Sequence, residues 1–173
     1  VSGVLGSGLC RLARATPARG YVALGDSFTA GTGVGAERAF PVRLVAHLQR
    51  AGVALSLRNL AVNGYTTQDV IDRELPQLPR PGDLPRLCTL AIGANDIVRG
   101  WDEAAYRRNL RQIFAALRPL PLVVSLPQPD WSAAPAAALF ADPPQIAARI
   151  QLWNRVLRDE TRVAGRVHVD LWP

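Results

Sequence analysis

The sequence contains no lysine; all 20 of its basic residues are arginine. These are spread from Arg11 to Arg166, mostly on helical stretches among acidic neighbours, and form no run of five or more. That pattern argues against a nucleic-acid-binding or anionic-surface-binding run, and the net charge of +6 is read as solvated surface, with the arginine bias a property of composition. Methionine is missing too, even at position one, so the chain is expected to begin at an alternative start or to have lost residues. The two cysteines, Cys10 and Cys88, are too few and too different in setting for a disulfide framework or a zinc site. Cys88 lies in the apolar run 87–92 and is expected to be a small buried core residue. No apolar run approaches the ~20 residues of a membrane helix. No G-x-G-x-x-G loop opens a helix, which argues against a nucleotide binder.

Of the 173 residues, 49% are apolar, enough for one globular domain with a sizeable core. Residues 1–19 are Gly- and Ala-rich, then basic, and read as a flexible extension. The domain is expected over residues 20–173. From Tyr21 onward, short apolar runs alternate with helical patterns. The expected strands are 21–24, 53–60, 87–92, 121–126 and 166–171. Helices are expected from Pro41 to about Arg50, from Thr67 to Leu75, from Asp102 onward with a core face of Tyr106, Leu110, Ile113 and Leu117, and from the Asp142-Pro143 cap with a stripe of Ile146, Ile150, Trp153 and Leu157. On the last strand, Val167, Val169 and Leu171 share one face and Arg166, His168 and Asp170 the other. Alternating strands and helices predict an α/β fold, a three-layer α/β/α sandwich on a five-stranded parallel sheet.

Three of these strands run into polar, Gly-containing turns, at the sheet edge where open α/β sheets bind ligands. The first turn is Gly25-Asp26-Ser27-Phe28-Thr29. The second lies in Asn59-Leu60-Ala61-Val62-Asn63-Gly64-Tyr65-Thr66-Thr67, and the third in Gly93-Ala94-Asn95-Asp96. In order and content these blocks resemble the SGNH (GDSL-type) hydrolase family. The resemblance spans roughly residues 20–173 and implies the flavodoxin-like strand order 2-1-3-4-5. It also implies Ser27 as nucleophile, with the Ser27 N–H, the Gly64 N–H and the Asn95 side-chain amide as oxyanion donors. Each type suits its role: glycine lets substrate approach the backbone, and asparagine is a neutral donor. Asp26 and Asp96 are expected to orient their loops.

The family's fourth block, an Asp-x-x-His, is absent. The chain is therefore expected to be C-terminally truncated, without a closing helix, and to leave an apolar sheet face uncovered near strands one and five. His47 falls with Arg43 and Arg50 on the polar side of its helix. His168 sits on a strand, back from the edge that carries Ser27. Neither is expected to be the base. The resulting expectation is a serine esterase or acyl hydrolase acting on a small ester, impaired for want of its histidine. The alternative is a non-catalytic module that binds an acyl or sugar ester. Either reading calls for no metal and no cofactor, no nucleic acid and no membrane span, and leaves oligomeric state open.

Overall fold

The uncharged run of Tyr21 to Leu24 lies at the heart of the sheet. The computed structural model describes residues 19–80 and 83–171, so the expected N-terminal extension, Cys10 included, falls outside the described residues except for Arg19, which already belongs to the first strand. The run is part of β1 (Arg19–Gly25), and Tyr21 through Gly25 are buried. β1 is flanked by β2 (Leu55–Asn59) and β3 (Leu87–Ala91), with β4 (Val123–Ser125) and β5 (Val167–His168) beyond β3. Every pairing is parallel and the order is β2-β1-β3-β4-β5, as the alternation and the resemblance imply. A parallel sheet needs helical crossovers. Those here are α2 (Phe40–Arg50), a segment opened by α3 (Thr67–Asp69), α5 (Glu103–Ala116) and α6 (Pro143–Val163). Two short helices, α1 (Ser27–Ala30) and α4 (Ala94–Val98), follow β1 and β3 directly.

Parallel register puts paired residues on one face of the sheet. Val22 pairs with Cys88, which pairs with Val123, and all three belong to the core with Leu24, Leu90 and Ile92. Against this face pack Tyr106, Leu110, Ile113 and Leu117 from the α5 region, and Ile146, Ile150, Trp153 and Leu157 from α6. Tyr106 stacks on Trp153 with ring centroids 5.4 Å apart. Where α5 meets α6, the buried Glu160 carboxylate accepts from Arg107 at 3.0 Å and from Arg111 at 2.8 Å. These guanidiniums hold its pKa below the usual range against the opposing effect of burial.

The opposite face is covered unevenly. α2 contributes only a half-buried stripe of Val42, Val45 and Leu48, with Arg43, His47 and Arg50 exposed as expected. A helix about 10 Å wide covers roughly two strands at a spacing of about 4.8 Å. The rest of that face is the floor of an apolar groove of about 1100 Å³, with Leu87, Val124 and Val169 on the floor and Phe40, Leu44 and Leu48 of α2 as its wall. The uncovered face thus lies over β3, β4 and β5, with only the end of β1 at its rim: strand five is uncovered as expected, but the rest of the open face is β3 and β4 and not strand one.

Two local expectations need correction. The last strand was expected over 166–171, with Val167, Val169 and Leu171 on one face. It pairs only at Val167–His168, because β4 offers just three residues to pair with. Val167, Val169 and Leu171 are exposed, because among the described residues no helix covers them. The helix expected from Thr67 to Leu75 is three pieces: α3, a π turn (Val70–Glu74) and a 3-10 turn (Leu75–Gln77). Pro76 has no N–H to donate and its ring crowds the carbonyl four residues back, so the chain leaves α geometry before it.

Candidate active site

Adjacent parallel strands β2, β1 and β3 end on the same edge of the sheet, and the turn after each carries one of the three expected residues. Ser27 opens α1, partly exposed, directly after Asp26. The Asp26 side chain caps this turn, its Oδ1 accepting the Phe28 N–H at 3.0 Å. Asn59 at the end of β2 reaches across and donates Nδ2–H to the Thr29 carbonyl at 3.0 Å. This fixes α1 against the start of the Gly64 loop.

The Gly64 loop and the Asn95 turn are joined directly. Asn95 donates one side-chain N–H to the Tyr65 carbonyl at 2.9 Å, which orients its amide beside Gly64. Arg99 donates to the Gly64 carbonyl at 2.9 Å. Apart from its two chain neighbours, no described residue comes within 4 Å of where a Gly64 Cβ would stand, so space is open there among the described residues. Asp96, fully buried, accepts the Thr67 N–H at 3.0 Å and the Thr67 hydroxyl. It therefore orients its loop, the role expected of it. Gly93 is required by close approach: at φ +131°, a Cβ there would stand 2.8 Å from the Tyr106 hydroxyl.

Beneath the turns the electrostatics are unusual. Burial pushes the Asp26 carboxyl up to about 7, against the Phe28 N–H and with the help of the nearby Asp96 charge. Burial raises Asp96 as well, opposed by the two Thr67 donors. Neither aspartate has a described basic residue in ion-pair contact.

Residues 23–173 match the model of the GDSL-like lipase/acylhydrolase family. The chain belongs to this family. No curated protein matches it at a significant level. Among solved structures it is similar to AlinE4, an SGNH-hydrolase family esterase, with 24% identity and a TM-score of 0.70 over 90% of this chain and 77% of that one. TesA is similar at 22% identity and a TM-score of 0.68, over 87% of this chain and 77% of that one. Axe2, an acetylxylan esterase from Geobacillus stearothermophilus, is similar at 17% identity and a TM-score of 0.66, over 88% and 75%. At these identities the likeness establishes the fold.

In this GDSL-like chain both histidines stand apart from Ser27. His47 is exposed on α2. The Nδ1 of His168 lies 2.7 Å from the Ser125 hydroxyl, which in turn meets Thr161. β5 is three strands from β1, or about 14 Å at the usual spacing. Burial lowers the His168 pKa, and the flanking Arg158 and Arg162 oppose the help of Asp170. The sequence reading did not single out Arg99 or Glu74. Nothing in the sequence marks Arg99 as a loop tether. Glu74 carried a signal: it lies four residues after Val70, on what became the buried side of the segment.

Proposed function

We propose that this chain is a serine ester hydrolase acting on small esters, with Ser27 as nucleophile. Ser27 Oγ attacks the ester carbonyl carbon and its proton passes to a base. The tetrahedral oxyanion is held by the Ser27 N–H, the Gly64 N–H and the free N–H of the Asn95 amide. Collapse expels the alcohol, protonated by the same base, and water then hydrolyses the acyl-serine. The observation that carries this reading is the bond from Asn95 Nδ2 to the Tyr65 carbonyl, which couples the Asn95 turn to the Gly64 loop at the edge where Ser27 opens α1. Family membership supports it.

In this reading neither His47, exposed on α2, nor His168, bonded to Ser125 on the far side of the sheet from β1, is the base. One of the similar solved structures is a catalytic mutant of Axe2 with a histidine changed to alanine. That supports a histidine in the role. General-base assistance typically contributes about 10²–10⁴-fold. The 173-residue chain is expected to hydrolyse p-nitrophenyl acetate slowly, at a rate that Ser27→Ala lowers further, while a chain extended by an Asp-x-x-His segment gains roughly that factor. If the extended chain and its Ser27→Ala variant turn over at the same rate, the reading is wrong. Retained ester binding in that case points to a non-catalytic binding module.

A further inference from the structure

The three site turns converge on one segment, residues 67–74. Asp96 bonds the Asn95 turn to Thr67 at its start, and the Gly64 loop leads into it. At its other end stands Glu74. Its side chain is fully buried, and its Oε2 accepts the Gly25 N–H at 3.0 Å, across 49 residues of sequence. Gly25 is the last residue of β1, two before Ser27, and on its other side it is pressed against its neighbours. A Cβ there would fall inside the van der Waals shell of the Ala91 carbonyl oxygen and 2.5 Å from Thr29 Oγ1. The backbone that delivers Ser27 is thus clamped between the end of β3 and the Glu74 carboxyl. We infer that Glu74 is a positioning residue for Ser27, fixing the Gly25–Ser27 turn from beneath through the Gly25 N–H.

The local backbone is built to deliver this group. The Leu75 N–H donates to the Val70 carbonyl, five residues back, so the helix is widened into a π turn where Glu74 leaves it. Such turns re-aim a side chain within a helix and recur at functional sites. Burying a carboxyl is costly, and a purely structural contact at this place is filled more cheaply by an apolar side chain. Among the described residues, Glu74 Oε1, Asp26 Oδ2 and Thr29 Oγ1 are all buried without a hydrogen-bond partner, a group of polar atoms at the Gly25–Thr29 turn. The charged or titratable groups facing Glu74 are Asp26 on the nucleophile turn, Asp69 on α3 and Cys88 on β3. None is basic. Burial pushes the Glu74 pKa up to about 8, with Asp26 and Asp69 adding to the rise and the Gly25 N–H opposing it.

The test compares wild type, Glu74→Gln and Glu74→Leu. Glutamine keeps an acceptor for Gly25 but cannot ionise; leucine removes the acceptor. The amide shifts of Gly25 and Ser27 are followed from about pH 5 to pH 9, alongside kcat and KM for p-nitrophenyl acetate. Only the kinetic readout rests on the esterase reading. In wild type the Gly25 amide should titrate with a midpoint of about 8. In Glu74→Gln the step at about 8 should vanish, leaving only the Asp26 step at about 7, while kcat stays within about threefold, and in Glu74→Leu both amides should move and kcat fall about tenfold or more at near-constant KM. The inference is overturned if both amides stay in place in Glu74→Leu, if a folded Glu74→Leu keeps its kcat, or if Glu74→Gln is as damaging as Glu74→Leu. Should Glu74→Leu not fold, a Gly25 amide that titrates identically in wild type and Glu74→Gln overturns it. With no Ser27-dependent turnover in any chain, the esterase reading fails, and the amide shifts still decide the role of Glu74 on the turn.

Discussion

Asp96 and Thr67, 29 residues apart, are joined by a carboxylate that accepts both the backbone N–H and the hydroxyl of the threonine. Asn109 adds a third contact, its Nδ2 donating to Thr67 Oγ1 at 3.1 Å. The asparagine expected to bind the oxyanion therefore sits beside a residue whose work is to lock its turn to the Gly64 loop. Removing the carboxylate leaves two buried donors unpaired, at a cost of about 1–3 kcal/mol each. Asp96→Ala should lower stability by at least about 2 kcal/mol, which for a domain of this size is roughly 4–8 °C in Tm. Asp96→Asn, which keeps an acceptor, should lose less. Thermal melts of the two variants check this, and equal losses would show that the Thr67 bonds do not carry the coupling.

The buried Asp26 makes stability depend on pH in an unusual direction. Its folded pKa is raised to about 7 from an unfolded value of about 3.9. Between those values the folded protein holds a proton that the unfolded chain has released, so stability falls as pH rises. Glu74, raised to about 8, extends the decline upward. His168, lowered by burial, acts oppositely but only below its unfolded value of about 6.5. Asp69, Asp130 and Glu160, all lowered, act below about pH 4. The urea midpoint should therefore be lower at about pH 8.5 than at about pH 6.5. Asp26→Asn, which keeps the cap on the Phe28 N–H, should show a shallower decline from about pH 4.5 to pH 7 than wild type. A wild-type midpoint that rises between pH 6.5 and 8.5 would contradict the neutral burial of these carboxyls.

What was legible in the sequence is what local pattern controls. The uncharged run Tyr21 to Leu24 marked the central strand, and the caps Asp102 and Asp142 marked the starts of α5 and α6. The turns bearing Ser27, Gly64 and Asn95 were legible because each follows a strand, and parallel topology brings strand ends to one edge. Long-range partners were not legible. Glu74 and Gly25 lie 49 residues apart, and the spacing of Glu74 from Val70 points to a buried side without naming a partner. The exposure of Val169 and Leu171 was legible only in outline, as an uncovered face near strand five. Their alternation is that of a half-buried strand, and only the absence of a helix over that face among the described residues leaves them in solvent.

That open face supplies the last prediction. The groove of about 1100 Å³ beside α2 is lined almost wholly by apolar side chains, with Phe28 and Leu171 at its ends 39% and 64% exposed. Contiguous apolar patches beyond a few hundred Å² are uncommon on monomeric proteins and favour dye binding and self-association. The folded chain should enhance the fluorescence of an apolar dye such as anilinonaphthalene sulfonate under native conditions, and sediment increasingly fast with concentration. Leu171→Glu places a charge at the rim without opening a cavity, because the leucine packs little. It should change unfolding free energy by no more than about 0.5 kcal/mol while reducing both dye binding and self-association. Leu44→Glu, on the wall formed by α2, should act in the same direction. If neither substitution alters dye fluorescence, the groove is already filled in solution and the sheet face is covered by a part of the molecule outside the described residues.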